Sequence, residues 1–437
     1  MNFIKKFIPK RLLSLIRPIY HGCVAWVANV YFGFPSRQLI VIGVTGTGGK
    51  SSTTTILREI LNQSGKKCGS ITTISFFNGQ EEFINKHGLS MPGGWLLQKS
   101  LKAILNNGCK YAVVECTSEG LAQNRHFGIK FDAVVFTNIS EAHIEAHGNF
   151  ENYRQAKGKL FQALSKKGLG LSFVNLDDSN SNYFLKFQSR KKIGLTFANN
   201  TSDNCQVIYT SQKTLKGFQL QDTQFQVHLF GEFNKLNACL AVVVALELGV
   251  ELTSSQSAIN NILTLRGRME LVPNNKNLTL IVDYGCEPAT FLVALKAVSE
   301  APHKKLIHVF GSTGGHRDVS KQFIFGKTSA KYADYIIITN DDVYDSNPEE
   351  IARNIELGIK ETLNSKTQII NKSQNLKYQI ILDRRTAIRK ALEIAEAEDI
   401  VLFTGKSSEQ FLVLPGNKRV KWDEVEVVKE EIKKLKN

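Results

Sequence analysis

This chain has no CxxC pair. Its seven cysteines, Cys23, Cys68, Cys109, Cys116, Cys205, Cys239 and Cys286, are scattered and odd in number. That excludes a disulfide framework and a zinc site of familiar spacing, and it fits reduced thiols in a cytoplasm. No uninterrupted apolar stretch reaches the roughly 20 residues that a spanning helix needs; the best candidate, residues 19–34, is broken by His21 and Asn29. No small-residue cleavage site follows the basic start, which argues against a signal peptide. Internal repeats and low-complexity tracts are missing. So are RNA-recognition, zinc-finger and basic-zipper signatures, which sets nucleic acid aside despite a net charge of +15 and a pI near 9.3. The positive excess suits a nucleotide-linked or other anionic substrate or an anionic membrane surface, unless it only reflects a generally basic proteome.

What is present is an ordinary globular composition, 42% hydrophobic and 22% charged, over 437 residues. That length is enough for two or three domains with cores of their own. Residues 1–38 form a basic, apolar segment in which Lys5, Lys6, Lys10, Arg11 and Arg17 lie among Phe, Leu and Ile. It reads either as an interfacial helix on anionic lipid or as a helix packed on the domain that follows. From there, buried-strand runs alternate with helical periodicity. The strands are LIVIGV (39–44), YAVVEC (111–116), FDAVVFTNI (131–139) and LSFVNL (171–176), with helices expected at 51–63, 94–106 and 151–165. Such alternation predicts an α/β fold whose largely parallel sheet is covered on both faces. KGFQLQDTQFQVHLFG reads as a hairpin ahead of the helix NKLNACLAVVVALELG. The polar, turn-rich LVPNNKN (271–277) is the expected linker. A second α/β series follows it (LTLIVDYG, KKLIHVFG, DYIIIT, YQIILD, DIVLFTG), giving a central domain over 39–270 and a doubly wound C-terminal domain over 271–437.

The chemistry starts at VIGVTGTGGKSSTTT, residues 41–55. A strict GxxxxGK[ST] loop would have glycine at position 44, where this chain has Val44, with Gly43 one place earlier. The context is still that of a phosphate cradle: a buried strand, a glycine-rich turn, and a helix opening at Lys50. Gly46, Gly48 and Gly49 let backbone amides approach phosphate oxygens, with Thr47 and Ser52 alongside, and the helix N-terminus adds a favourable field. Lys50 is placed to neutralise the β- and γ-phosphates of ATP and Ser51 to reach Mg²⁺.

The wording GVTGTGGKSSTT resembles the phosphate loop of the Mur ligase family, the ATP-dependent amide-forming enzymes of peptidoglycan synthesis, which shares the same one-residue departure. The stretch ECTSEGLAQNRHFGIKFDAVVFTNISEAHIEAHGNFENYRQAKGKLF (115–161) is similar to the members that add the third amino acid to a UDP-N-acetylmuramoyl dipeptide. That resemblance implies a P-loop central domain and a Rossmann-like C-terminal ligase domain. It places Glu115 and His143 as magnesium ligands and Lys157 as a carbamylated lysine whose carbamate helps hold a second Mg²⁺. Downstream, GEFNKLNACLA implies Asn234 and Asn237 near adenine, LRGRMELV implies Arg268 as a nucleotide contact, and VDYGCEPATF implies Asp283 and Tyr284 on the ribose or adenine side. FGSTGGHRDVSKQ matches at Arg317, Asp318 and Lys321.

Four departures qualify the match. About 38 residues precede the phosphate loop, whereas the family carries a uridine-binding domain there. The sugar-contacting Thr-Thr-Pro reads Ser90-Met91-Pro92, and Ser-Ser-His reads Thr117-Ser118-Glu119, while Gln123 and Arg125 match outright. The DNPR signature for meso-diaminopimelate reads Asp341-Asp342-Val343-Tyr344, which removes the arginine that would grip a distal carboxylate. Asp342 either favours a basic side chain or is a surface carboxylate. GKGHE reads Gly405-Lys406-Ser407-Ser408-Glu409, keeping Glu409 for the incoming amine, and Cys286 replaces a family histidine. The expected activity is thus an ATP- and Mg²⁺-dependent acid–amino-acid ligase, monomeric and cytoplasmic, acting on a nucleotide-sugar peptide, with residues 1–35 touching the membrane. The alternatives are a ligase on a polyglutamate, cyanophycin-like or lipid-linked acceptor, and a non-catalytic ATP-binding scaffold.

Overall fold

The computed structural model describes residues 10–85, 91–140, 147–165, 170–315, 318–364 and 376–435. The chain divides into two units, one of residues 1–228 with 233–263, the other of 229–232 with 264–437.

The first unit is built on an eleven-stranded sheet. Its strands are β1 (Ile40–Thr45), β2 (Cys68–Ile71), β3 (Ser75–Phe77), β4 (Glu82–Ile84), β5 (Tyr111–Glu115), β6 (Ala133–Phe136), β7 (Leu171–Asn175), β8 (Lys191–Thr196), β9 (Val207–Thr214), β10 (Gly217–Leu220) and β11 (Thr223–Gln226). They lie in the order β11-β10-β9-β8-β7-β6-β1-β5-β2-β3-β4. The segment from β9 through β2 is parallel, as the near-continuous Val/Ile runs of β1, β5 and β6 require for strands covered on both faces. Both edges turn antiparallel, and the hairpin expected in KGFQLQDTQFQ is β10 paired with β11. The helices are α1 (Lys10–Tyr31), α2 (Lys50–Gln63), α3 (Gly94–Asn106), α4 (Ser118–Ala122), α5 (Phe150–Ser165), α6 (Ser181–Leu185), α7 (Phe233–Glu247) and α8 (Leu252–Asn261). α7 carries NACLAVVVA with almost no polar face and is buried at Asn234, Lys235 and every residue from Asn237 through Ala245. Central β1 lies between β5 and β6, so its C-terminal end carries the phosphate loop to the edge where ligands of open α/β sheets collect.

The second unit holds a six-stranded sheet in the order β12-β13-β17-β14-β15-β16. Its strands are β12 (Glu270–Val272), β13 (Thr279–Asp283), β14 (Leu306–Phe310), β15 (Tyr335–Ile338), β16 (Lys377–Ile380) and β17 (Ile400–Thr404), with a small hairpin of β18 (Phe411–Leu414) and β19 (Lys418–Lys421). All pairs in the large sheet are parallel except β12 with β13. The helices α9 (Pro288–Ser299), α10 (Ser320–Tyr332), α11 (Pro348–Asn364), α12 (Arg384–Ile394) and α13 (Glu424–Lys434) complete it. Residues 271–277, read from composition as a linker, instead end β12 and turn into β13. Asn274 closes that turn by accepting from the amides of Lys276 and Leu278 and donating to the carbonyls of Val272 and Leu278. A polar tight turn and a linker have the same composition, so composition does not separate them.

Candidate active site

In the first unit the phosphate loop is wrapped by polar groups of its own sheet edge. The amide of Thr47 donates to Asn138 O and that of Gly48 to Asn138 Oδ1, both at 2.9 Å. Thr137 Oγ1 returns a bond to Gly48 O at 2.7 Å. A Cβ at Gly46 would overlap Thr137 Oγ1, and one at Gly49, which sits at φ 78°, would overlap Asn237 Oδ1. Only glycine lets the backbone pass so close. Asn237, buried and donating to Asn234 Oδ1 at 3.0 Å, therefore lies against the phosphate loop itself. Gly49 stands at the N-cap of α2 and offers no side-chain acceptor, so the helix N-terminus, with Ser51 and Ser52 buried at it, opens on the loop, as an anion site needs.

Beside that loop stand the groups that bear on metal and charge. Ser51 Oγ donates to Glu115 Oε2 at 2.8 Å, and Glu115, at the end of β5, is 1% exposed. Thr73, in the turn after β2, donates its amide to Glu115 Oε2 and its hydroxyl to Glu115 Oε1, each at 2.8 Å. Lys50 Nζ curls back onto Thr47 O at 3.0 Å. Lys157, on α5, is 1% exposed; its Nζ donates to Gly46 O at 2.7 Å and lies 4.3 Å from the centre of the Tyr153 ring. Burial, and then the charge of Lys50, push the Lys157 amine well below its ordinary pKa, with Glu115 opposing. Carboxylate, hydroxyls and amine thus converge on a phosphate loop, a donor set that suits Mg²⁺ and a nucleotide triphosphate. His143 lies outside the described residues.

On the same unit, Thr117 caps α4 by accepting from the Gly120 amide. Arg125 donates through Nε and Nη2 to Gln123 Oε1 at 3.1 and 2.8 Å, and through Nη1 to Met91 O at 2.6 Å. This ties loop 91–94 to loop 117–128 and leaves a half-buried guanidinium among polar neighbours. Ser90 lies outside the described residues.

The second unit carries a separate polar cluster at the carboxyl ends of β13, β15 and β17. Asp342, expected either at the surface or at a basic side chain, is buried; its Oδ1 accepts from Lys406 Nζ at 2.7 Å and from the Val413 amide at 2.8 Å. The surface alternative is corrected by that burial, because the β18 hairpin covers the loop. Lys406, fully buried, also pairs with Glu409 and lies 3.9 Å from Asp341. These charges hold its ammonium above the ordinary lysine range against the cost of burial, and burial raises the Asp342 and Glu409 carboxyls. Gly405 sits at φ 106°, where a Cβ would press on Asp341 Oδ2, and Tyr344 sits in the left-handed region at φ 53°. Asp283 accepts from the amides of Met269 and Gly285 at 2.9 and 2.8 Å, and the Arg268 guanidinium lies 4.7 Å from the Tyr284 ring centre. Arg317 lies outside the described residues.

Sequence reasoning did not single out Thr73, Thr137, Asn138, Tyr153 or Lys406. Asn138 lies in the FTN triplet and Lys406 in GKSSE, both inside quoted motifs, so their polarity within otherwise apolar strand ends was the available signal. Thr73 offered none.

Residues 44–245 match the Mur ligase middle domain, and residues 267–407 match the Mur ligase, glutamate ligase domain. A UDP-N-acetylmuramoyl-L-alanyl-D-glutamate–2,6-diaminopimelate ligase of Caldanaerobacter subterraneus subsp. tengcongensis is 34% identical over 412 residues, covering 94% of this chain and 81% of that protein. A UDP-N-acetylmuramyl-tripeptide synthetase of Borreliella burgdorferi is 32% identical, covering 93% and 79%. A solved diaminopimelate ligase of the same name superposes with a TM-score of 0.59 at 28% identity over 90% of this chain and 78% of that one. A Mycobacterium tuberculosis folylpolyglutamate synthase shares the fold, with a TM-score of 0.66 at 16% identity over 89% and 92%. With two domain matches in tandem and relatives above 30% identity along nearly its whole length, the chain belongs to the Mur ligase family.

Proposed function

We propose that this Mur ligase joins the amine of an amino acid to a carboxylate of a UDP-N-acetylmuramoyl-peptide precursor, in the cytoplasm, with residues 1–35 touching the inner face of the membrane. The observation that carries the reading is the buried Lys157, its ammonium disfavoured, beside a phosphate loop at the N-terminus of α2 whose Ser51 is held on Glu115.

A carboxylate oxygen of the acceptor attacks the γ-phosphorus of ATP, ADP leaves, and the resulting acyl phosphate is attacked by the amine to give an amide and inorganic phosphate. Lys50 and the first amides of α2 stabilise negative charge on the transferring group. Ser51, Glu115, His143 and Lys157 would hold Mg²⁺, which when bound neutralises the phosphate oxygens. Thr73 fixes the Glu115 carboxylate through both oxygens and so acts as a positioning residue. Lys157 serves as a carbamate: its neutral amine adds to the carbon of CO₂, the new N–C bond displaces a C=O electron pair onto oxygen, and the amine proton leaves to solvent. Burial that disfavours the ammonium is what keeps the lone pair available. Gln123, Arg125 and Thr117 hold the acceptor, Asn234, Asn237, Arg268, Asp283 and Tyr284 the nucleotide. Asp342, Tyr344, Gly405 and Glu409 select the amine. Tyr344 in place of a guanidinium disfavours meso-diaminopimelate, whose distal carboxylate would meet Asp341, Asp342 and Glu409.

The test is phosphate release with Mg·ATP, bicarbonate, UDP-N-acetylmuramoyl-L-Ala-D-Glu and one amino acid at a time, beside a ¹³C spectrum of the protein in labelled bicarbonate. The expected result is release that requires both the dipeptide and one amino acid, with a carbamate resonance missing from Lys157→Ala. Release without either substrate, or an unchanged spectrum in the variant, would sink the corresponding half of the proposal.

A further inference from the structure

α1 packs on its domain with its small side chains and shows its large ones to solvent. Ala25 and Ala28 are fully buried, and a Cβ on Gly94 of α3 would overlap Ala25. Asn29 Nδ2 donates to Gly128 O at 3.1 Å. On the other side, Ile16, Ile19, Tyr20, Trp26, Val27, Val30 and Tyr31 are exposed, up to 67% at Ile19 and 71% at Tyr31, with exposed Cys23 among them. Their spacing repeats at three and four residues, so they form one continuous stripe along the helix. α3 extends it: Trp95 is exposed, with its ring centre 5.1 Å from that of Tyr31 and 5.3 Å from that of Phe32. An exposed apolar face of this extent marks a partner.

The charge of this part of the sequence says which. Residues 1–38 contain Lys5, Lys6, Lys10, Arg11, Arg17 and Arg37 and no acidic residue, the first in the chain being Glu59. Arg17 and Arg37 are exposed, α1 has no acidic residue, and α3 continues from Trp95 to Lys99 and Lys102 without one. A second copy docked face to face would set this basic rim against itself. An anionic lipid surface satisfies both the rim and the stripe, with Trp and Tyr at the depth they favour. Among the described residues no helix is long and apolar enough to cross a membrane, so α1, about 33 Å long at 1.5 Å per residue, lies along the surface.

We propose that α1 is a surface-lying lipid-docking helix whose Ile16–Tyr31 stripe, with Trp95, enters the interfacial layer of an anionic bilayer. This gives residues and lipid charge to the membrane contact of the proposed function. It also orients the unit. Asn124 donates to Pro18 O at 3.4 Å, and Gly94 meets Ala25, so α1 stands on the two loops that carry Met91, Gln123 and Arg125. Docking therefore brings the acceptor-binding loops to the lipid surface.

The experiment uses the full chain with vesicles of phosphatidylcholine, alone and mixed with phosphatidylglycerol, and reads partition rather than turnover, so it stands or falls separately from ligase activity. Co-sedimentation is measured at low and high salt, together with the emission of an environment-sensitive dye on Cys23. Val27→Glu with Val30→Glu changes two exposed positions, and unaltered thermal unfolding checks its fold. The expected result is binding to the anionic vesicles, a blue shift of the dye, weakening with salt, and a loss of partition of ~10-fold or more in the double variant. Equal binding to neutral vesicles would overturn the charge argument. No binding to either would overturn the proposal, and a concentration-dependent dimer that the same variant abolishes would assign the stripe to a second copy.

Discussion

Of the three lysines buried among the described residues, Lys157, Lys235 and Lys406, the first and the last are opposites. Lys157 of the first unit meets a carbonyl oxygen and the face of a tyrosine ring, and no carboxylate lies within ion-pair distance of it among the described residues. Lys406 of the second unit is enclosed by Asp341, Asp342 and Glu409. Burial works against the ammonium in both; only around Lys406 do neighbouring charges outweigh it. The contrast teaches what each unit is for. A lysine without a paired carboxylate has its ammonium disfavoured by burial, which fits a first-unit site that receives its ligand from outside. A lysine saturated by carboxylates is a fixed charge that shapes a loop, so the second unit has a site built to be complementary, with a surplus of negative charge to meet an amine.

The contrast is broken most severely by removing each lysine in turn. Lys157→Ala removes an electrostatic group from the phosphate site and is expected to cost turnover by ~10²–10³ or more, while thermal unfolding changes little or improves, since a desolvated amine is gone. Lys406→Met leaves three carboxylates crowded and unpaired in a buried site. A destabilisation of about 3–5 kcal/mol is expected, measured by urea unfolding followed at Trp422, the buried tryptophan of the second unit. If Lys406→Met kept its stability and only lost activity, the assignment of a structural charge would fail.

Acid sharpens the same comparison. His308, fully buried on β14 between Ser329 Oγ at 2.8 Å and Thr404 Oγ1 at 3.1 Å, is pushed down to about 3 by burial, and by Arg384, from an ordinary 6.5. Its folded pKa is depressed, so the unfolded chain binds a proton that the folded unit refuses. Stability from this group is whole above pH 6.5 and is lost as pH falls toward 3, at ~1.4 kcal/mol per pH unit. Lys157 has the same sign with a higher window, since its depressed pKa forfeits stability as pH falls from 10.5 toward its folded value. Urea midpoints at pH 7 and pH 5 are expected to drop at Trp422, and His308→Gln to flatten that slope. An equal slope in the variant would place the acid sensitivity elsewhere.

A smaller effect tests the first unit's open site. Thr73→Val removes the hydroxyl bond to Glu115 Oε1 but keeps the amide bond to Oε2. The Mg²⁺ dependence of turnover is expected to shift ~10-fold or more to higher concentration, with the maximal rate less affected. A fall in maximal rate at unchanged Mg²⁺ dependence would put Thr73 in contact with substrate instead.

How much of this could be read beforehand follows the same division. The phosphate loop stands in one contiguous motif, where strand, turn and helix succeed one another within a few residues, and local chemistry exposes such a site; Glu115 and Lys157 are legible only through the resemblance of residues 115–161 to the family. Thr73 and Tyr153 reach the site only through the fold, from a short turn after β2 and from the first turns of α5, and a lone threonine in ITTIS carries no pattern. The turn at Asn274 read as a linker because composition does not distinguish a tight Asx turn from a loose connection. Asp342 was readable as a carboxylate in a substrate loop, yet its engagement by Lys406 was not, since 64 residues separate them. The stripe on α1 was visible as periodicity, but which of its sides faced the domain depended on Gly94, far along the chain.

The weakest test returns to open and closed polar groups. In the second unit buried Arg384 is saturated: Nε and Nη2 meet Glu424, Nη1 donates to Asn340 O at 3.1 Å and Nη2 to Thr404 O at 2.8 Å. In the first unit Gln98, on α3 one turn beyond Gly94, is fully buried, and neither its Oε1 nor its Nε2 has a hydrogen-bond partner among the described residues. A buried amide without partners forfeits its hydration and gains nothing back. Gln98→Leu, nearly the same in volume, is therefore expected to raise stability by about 1 kcal/mol, seen as a small upward shift of the first unit's thermal midpoint with lipid binding unchanged. Should the variant instead be destabilised, Gln98 would have a partner, and the first unit would be as saturated around α3 as the second is around Arg384. The disfavoured ammonium of Lys157 would then be what still sets the first unit apart from the second, where Lys406 is held by carboxylates.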